Sequence, residues 1–424
     1  MPDNIKFIRD PIYGFVELKN SEIKLLDSPF LQRLRRIKQL GNTHLVYPSA
    51  CHSRFEHSLG VLHVANRMAH QIKLPTSQIR VVRYAAMLHD IGHGPLSHNF
   101  EDIIKTADGE KVSHEDIAKK IIKEDRLIGQ VLGRDKESVL ELFDEENETA
   151  TKEIISSNID ADKLDYLRRD SYHTGVAYGT FDLERILHTI SEKEEADRSY
   201  LTILWKGTDA LENYRLARYL MHTQVYQHHV RAISDSMFRR AVEIAKREET
   251  LDPDLFEIEN ENFLKHFLSM DDVRFYDMIL FNSKPENNDY KLINWLETRN
   301  LLKRGYEVNV RNLGVSEKSK IIRMKPSDFG RYEEKLASEA NCDKDLVIIY
   351  KQEIENALYK SSYEYLKENK TPFIVQDENG DIHDLDEVSL LHSSSEPLLK
   401  FYIFCPDKAK ETIREIAGDI LYGR

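Results

Sequence analysis

Cysteine is scarce. The 424-residue chain has three, Cys51, Cys342 and Cys405, in no CxxC pattern, so its natural setting is a reducing cytosol. The opening stretch MPDNIKFIRD lacks the apolar core of a signal peptide. No apolar run is long enough to span a bilayer. The expectation is therefore a soluble, cytoplasmic protein with no membrane partner. The chain has no GxxxxGK[ST] loop, which disfavours a P-loop enzyme, and no GxSxG elbow. Internal repeats and low-complexity tracts are missing as well. There is no excess of positive charge. The formal net charge of -13 argues against duplex nucleic acid as the main partner, although a basic patch can survive in an acidic protein. With 41% apolar and 31% charged residues, a sizeable core is available and global disorder is excluded. The length suits two or three domains, or one large one with additions.

The stretch around which the rest is organised is LHDIGHGPLSH, residues 88–98, with His89, Asp90, His93 and His98. The side chains of a His-Asp dipeptide leave consecutive backbone positions, so both reach one ion only where a helix is ending. A helix does end here. TSQIRVVRYAAML has apolar residues at Ile79, Val82, Ala86 and Leu88 after a Thr76/Ser77 start, and Gly92, Gly94 and Pro95 stop it. Upstream, residues 1–20 read as an extended start, with a turn at DPIYG and a strand at FVEL. A helical pattern from Ser21 is broken at Pro29 and closed at Gly41. RFEHSLGVLHVANRMAH is helical, with His57, Val61, Val64, Ala65 and Met68 on one face. Taken singly, a histidine on such a face is more often a satisfied core residue.

Downstream, VSHEDIAKKII and TKEIISSNIDADKLDYLRRDS read as helices. On the second, Asp162, Asp165, Tyr166, Arg169 and Asp170 make a polar stripe behind the apolar lead Ile154, Ile155 and Ile159. Residues 181–247 read as helical, rich in Arg, His and Tyr. A soft boundary falls near residue 250, residues 251–303 form a helical extension, and residues 304–424 form a small α+β domain. Its strands are RGYEVNV, DLVIIYK, PFIV and KFYIFC, its hairpin turn Asn379-Gly380, and its closing helix DKAKETIREIAGDIL.

His57, His89, Asp90 and Asp162 are four potential metal ligands, each in or at the end of a predicted core helix. Two imidazoles and two carboxylates suit Zn, Fe, Mn, Ni or Mg, whose bound water is acidified and whose charge polarises a phosphoryl group. Arg54, Lys163, Arg169 and Arg218 are candidate phosphate partners, and His93 and His114 candidate acid-base or oxyanion groups. This is the kit of a metal-assisted phosphoester hydrolase.

In this order H…HD…D is the signature of HD-domain phosphohydrolases. DPIYGFVEL, FLQRLRRIKQLG, SRFEHSLGV, LHDIGHGPLSH, SHED, DADKLDYLRRDSYHTG and VYQHH together resemble the deoxynucleoside triphosphate triphosphohydrolases, in the branch of the sterile-alpha-motif and HD-domain protein and its bacterial relatives. The resemblance is dense from residue 6 to about 230 and looser beyond. It implies a mainly α fold, an HD-domain helical core over residues 1–250 with a small α+β C-terminal region, and hydrolysis of dNTPs to deoxynucleoside and inorganic triphosphate. By position, His57, His89, Asp90 and Asp162 match the metal ligands. His114 matches the catalytic histidine that protonates the leaving 5′ oxygen, and His93 the histidine near the α-phosphate. Arg54, Lys163, Tyr166 and Arg218 match triphosphate contacts. Gln39 and Asp170 match groups on the 3′-hydroxyl, Leu40 and Tyr226 the walls that exclude a 2′-hydroxyl, and Gln227 sits by the base.

The resemblance further implies a homotetramer activated by nucleotides. Lys6, Asp27, Gln32 and Arg35 match a guanine-nucleotide site, the bland alternative being that Asp27 caps the turn before Pro29. Val46, Tyr47, Arg185 and His229 match an adjoining deoxynucleotide site, where Arg9 departs from the asparagine of those relatives. Two other readings stand beside this one. The first is another HD phosphohydrolase, acting on a nucleoside monophosphate, a cyclic nucleotide or an alarmone. The second is a nucleotide-sensing or nucleic-acid-binding module with little catalysis.

Overall fold

The computed structural model describes residues 5–354 apart from 107, 145–146 and 196–197, and then residues 373–389 and 398–423. The chain divides into two compact units. The first comprises Met1–His222, Phe256–Asp272 and Ala357–Ser395, the second Thr223–Leu255, Val273–Asn356 and Glu396–Arg424. The architecture is mainly α, with a helical HD core and a small α+β region, as the sequence implies. No described helix is long and apolar enough to cross a membrane.

The first unit opens on an antiparallel hairpin, Lys6–Asp10 with Gly14–Leu18. Asp10 closes its turn by accepting from the N–H groups of Ile12 and Tyr13. Helices Asn20–Leu26 and Pro29–Arg33 follow, and Ser28, not Asp27, caps the second by accepting from Leu31 N–H. Helical structure then stops at a single 3-10 turn, Leu34–Arg36, short of the expected Gly41. The backbone of residues 37–39 pairs sideways instead. Arg54 N–H donates to Ile37 O and Gln39 N–H to His52 O, so the i−4 carbonyls find no continuing donors.

Two helices form the heart of this unit. Arg54–Gln71 starts from a Ser53/Glu56 capping box, and Thr76–Leu88 packs along it. A third, Ala161–Thr174, crosses the first. It begins later than expected, because Asp160 caps it and residues 154–160 are turns. Ile154, Ile155 and Ile159 are nevertheless buried. The crossing is close at Gly60. A methyl group there would lie 1.9 Å from Asp165 Oδ1 and 2.3 Å from Arg169 Nη2.

Residues 181–247 are not helical throughout. Ile190–Glu195 and Arg198–Leu204 pair as an antiparallel hairpin, and Ile203 runs parallel to Val375 of a second hairpin, Ile374–Gln376 with Ile382–Asp384. The charged run SEKEEADRSY hides the strand signal, since burial concentrates at Ile190, Leu201, Thr202 and Ile203. Gly380 supplies the positive φ its turn needs.

In the second unit, helix Asn288–Glu297 packs on His229–Arg247. Strand Leu398–Cys405 lies between Lys303–Asn309 and Ile348–Ile354, antiparallel to both. Val347, Ile349, Phe401, Ile403 and Cys405 pack with Ile413, Ala417 and Leu421 of the closing helix Lys410–Tyr422 into a separate core.

Gly60→Ala is expected to destabilise the protein by roughly 1–3 kcal/mol, because backbone and a buried ion pair must yield to one methyl group. Urea unfolding checks this; a midpoint equal to the parent's would show the crossing to be looser than described.

Candidate active site

Each expected ligand sits where its helix delivers it. His57 lies on the first turn of Arg54–Gln71, His89 follows the last residue of Thr76–Leu88, and Asp162 lies on the first turn of Ala161–Thr174. His57 Nε2 is 2.8 Å from Asp162 Oδ1, 3.3 Å from His89 Nε2 and 3.8 Å from Asp90 Oδ2. His89 Nε2 is 3.3 Å from Asp90 Oδ1 and 3.8 Å from Asp162 Oδ1. Two ring nitrogens and two carboxylates thus converge.

The opposite ring nitrogens decide what these atoms are. His57 Nδ1 stands 2.7 Å from Asp165 Oδ2, and His89 Nδ1 stands 2.8 Å from Ala86 O. A carboxylate and a carbonyl only accept, so each Nδ1 carries the proton and each Nε2 offers a lone pair. A lone pair facing a carboxylate needs positive charge between them, a proton or a metal cation. The electrostatics show the same demand for positive charge. Burial pulls His57 down, but Asp162, Asp165 and Asp90 outweigh it and push it up to about 10. Burial opposes ionisation of Asp90, yet Arg54, His89 and His93 hold it well below the carboxylate range. The donor set fits a divalent cation held by His57, His89 and Asp90, whose donor atoms lie within 4.8 Å of one another, with Asp162 beside His57 and His89 as the fourth candidate.

Behind His57 stands a charged relay that the sequence does not announce. Arg169 is fully buried, with Nε and Nη2 on Asp165 and Nη1 2.9 Å from Asp10 Oδ2. The polar stripe of this helix therefore turns inward, and Arg169 is committed to orienting Asp165 rather than to phosphate. Its i, i+4 spacing from Asp165 was the available signal, identical to that of a surface pair.

Beside the ligands lie the expected cations. Arg54 donates to Asp90 Oδ2 at 2.8 Å and to Ser97 Oγ at 2.8 Å. Lys163 Nζ is 2.6 Å from Asp160 Oδ2, and the charges of Lys163 and Arg218 both act on Tyr166, whose hydroxyl burial pushes up to about 12. On another side, His52 joins two expected sugar contacts. Its carbonyl accepts from Gln39 N–H at 3.0 Å, and its Nε2 is 2.8 Å from Asp170 Oδ1. Gln39 Oε1 is buried with no hydrogen-bond partner among the described residues, and Leu40 is buried next to it in sequence. Tyr226, Gln227 and His229 are half-buried residues of the second unit.

His93 is buried in the loop after His89, its Nε2 3.2 Å from Asp90 Oδ1, and its ring stacks on that of His114 at 3.9 Å between centroids. Burial, Arg54 and His114 push His93 down to about 3, so it is neutral. Burial also acts against His114, but Glu101, Asp90 and Glu115 hold it above the usual histidine value. Glu101 is a site residue the sequence reading missed; its three-residue spacing from His98 was the only signal. A methyl group on Gly92 would lie 1.9 Å from His114 O, so glycine is what lets the loop meet the His114–Glu124 helix.

Of the expected regulatory residues, Lys6 and Asp27 are exposed. Gln32 and Arg35 meet through a 2.9 Å hydrogen bond, and Arg35 lies 3.6 Å above the Phe55 ring. Val46 and Tyr47 are half-buried, and exposed Arg185 donates to Lys206 O. Arg9 lies over Phe15.

Residues 54–170 match the HD domain family and residues 181–422 the HD associated region, more than half of the 424-residue chain. The chain belongs to the HD-domain family that carries this associated region. An uncharacterized protein of Methanocaldococcus jannaschii is 34% identical over 97% of this chain and 81% of its own. The human deoxynucleoside triphosphate triphosphohydrolase SAMHD1 is 30% identical over 79% of this chain, which spans 59% of that protein. The crystal structure of a phosphohydrolase from Bacteroides thetaiotaomicron superposes with a TM-score of 0.77 at 25% identity, covering 95% of this chain and 100% of that one.

Asp165→Asn removes the obligate acceptor behind His57. The amide can present its N–H₂ to Nδ1 and reverse the tautomer, so divalent-metal affinity is expected to fall by about 10–100-fold. Equilibrium dialysis against a metal buffer reads this directly; unaltered affinity would mean that His57 is not a ligand.

Proposed function

We propose that this chain hydrolyses dNTPs to deoxynucleoside and inorganic triphosphate, using a divalent cation held by His57, His89, Asp90 and Asp162. The observation that carries the reading is the set of two lone-pair nitrogens and two carboxylates with cationic side chains beside it. A divalent cation there supplies Lewis acidity toward a phosphoryl group. The protein does the rest. Arg54, Lys163 and Arg218 neutralise the triphosphate. Gln39 and Asp170, joined through His52, receive the 3′-hydroxyl, which suits the unpaired Gln39 Oε1. His93, held neutral, lies by the α-phosphate. Water attacks the α-phosphorus, the P–O5′ bond breaks, and the 5′ oxygen takes the proton of His114, whose pKa Glu101 holds above the usual histidine value. The proton given up by the water restores His114 for the next turnover.

Incubating the purified protein with each dNTP and several divalent metals, then separating the products, tests this. Triphosphate is the expected product; pyrophosphate or monophosphate would favour another HD phosphohydrolase. His114→Ala is expected to lower turnover by roughly 10²–10⁴ with metal content unchanged. The double replacement of His89 and Asp90 by Ala removes metal and activity together.

Regulation belongs to the same reading. The linked pair Gln32–Arg35, with exposed Asp27 and Lys6 nearby in sequence, receives a guanine nucleotide between subunits of a homotetramer, and Val46, Tyr47 and Arg185 contribute to a second nucleotide site. A ligand that bridges subunits binds the assembled form better, so it shifts assembly by mass action. GTP or a dNTP is expected to raise both initial rate and tetramer fraction, and Asp27→Ala to weaken the GTP effect. Sedimentation and rates that stay flat across all nucleotides would remove regulation and leave catalysis standing.

A further inference from the structure

Beyond the HD ligands, a second cluster of histidines surrounds one carboxylate. The Nδ1 atoms of His98, His114 and His93 lie 2.8, 3.2 and 3.4 Å from Glu101 Oε1. One donor atom from each of the four residues falls within 4.8 Å of all the others. The rings are arrayed, not scattered. His93 and His114 stack at 13° between planes, and His98 stands at 90° to the first and 78° to the second.

Hydrogen bonding accounts for only part of this convergence. His98 Nδ1 makes a well-formed bond to Glu101, whereas the buried Nδ1 atoms of His93 and His114 meet the same oxygen at longer range and without good hydrogen-bond geometry. His93 is 1% exposed. Its Nε2 faces Asp90, which can only accept, so its single proton sits there and Nδ1 presents a lone pair toward Glu101. A lone pair aimed at a carboxylate inside a protein is unfavourable unless a cation lies between them. His114 Nδ1 lies 3.2 Å from the same carboxylate oxygen, a pair that either a proton or a metal ion satisfies.

We propose that His93, His98, His114 and Glu101 form a second metal site, selective for a borderline transition cation of the zinc or cobalt class over magnesium or calcium. Three imidazoles and one carboxylate are the donors such ions take in four-coordinate sites, whereas hard cations prefer an all-oxygen shell. The site shares no ligand with the HD centre. His93 connects the two, with Nε2 toward Asp90 and Nδ1 toward Glu101. A cation there ties up the histidine that the proposed hydrolysis uses as proton donor, so excess zinc inhibits. That consequence alone rests on the proposed function; the site does not.

Cobalt(II) is the probe, because four-coordinate cobalt absorbs in the visible and can be counted by elemental analysis. The full chain is expected to take up two cobalt ions. His98→Ala and Glu101→Gln are each expected to retain one and to lose the tetrahedral band. His57→Ala should show the opposite pattern, keeping the band. Far-UV circular dichroism confirms that each variant is folded, and Glu101→Gln, nearly isosteric, guards against misfolding of the alanine variant. Saturation at one cobalt in the parent, or two cobalts retained in the His98→Ala/Glu101→Gln double variant, would overturn the site. With two ions bound, zinc beyond the first equivalent is expected to lower dNTP hydrolysis by roughly 10²-fold. Full activity with both sites filled would refute the inhibition and the proton-donor role of His114 while the site stood.

Discussion

A guanidinium with no access to water governs the geometry of the HD centre. Arg169 is enclosed between Asp165, which it binds through two nitrogens, and Asp10 of the N-terminal hairpin. Stripping a charge of its water is tolerable only when every partner is in place, and removing one partner from such a group destabilises by about 3–5 kcal/mol. The N-terminal hairpin is thereby tied to the helix that carries Asp162. The same Asp165 fixes the tautomer of His57. A ligand orientation thus depends on an ion pair that touches no ligand-binding atom, and Gly60 is the space that lets it form.

The candidate ligands were legible because metal chemistry demands particular residue types at helix ends. His89 and Asp90 fall where Gly92, Gly94 and Pro95 predict a break, and both side chains reach the same centre. His57 and Asp162 come to it from the starts of two other helices. The supporting groups were not legible, since Asp165 and Arg169 have the spacing of an ordinary solvated pair and only packing turns them inward. Glu101 resembles any acid in the first turn of a short helix. The strands at 190–204 carry too much charge to show alternation, and the helix expected to reach Gly41 ends because residues 37–39 bond to residues 52–54, a pairing that local pattern does not encode.

Backbone strain marks the loop between His93 and His98. Leu96 and Ser97 both have positive φ, 56° and 60°, which non-glycine residues adopt only under external constraint. The constraints are visible. Asp272 accepts from Leu96 N–H at 2.8 Å, Ser97 Oγ donates to Lys38 O, and Arg54 Nε donates to Ser97 Oγ. Arg54 thus grips the strained loop with one nitrogen and a metal-ligand candidate, Asp90, with another.

Arg33 extends this control to the surface. It is buried, lies over the Phe267 ring, and donates to Met270 O and to His93 O, both at 2.7 Å. Burial, helped by the Arg36 charge, pushes its pKa down to about 9 against the pull of Asp272 and Asp271, so the contact holds a charge at appreciable expense in solvation. Gln32 precedes it on the same helix, Pro29–Arg33, and points the other way, to Leu26 O and to Arg35. Consecutive residues of one short helix therefore address the surface pair and the backbone of the histidine loop. A shift of that helix therefore reaches the His93 carbonyl through one side chain, that of Arg33, which packing on Phe267 and the bond to Met270 O hold in place.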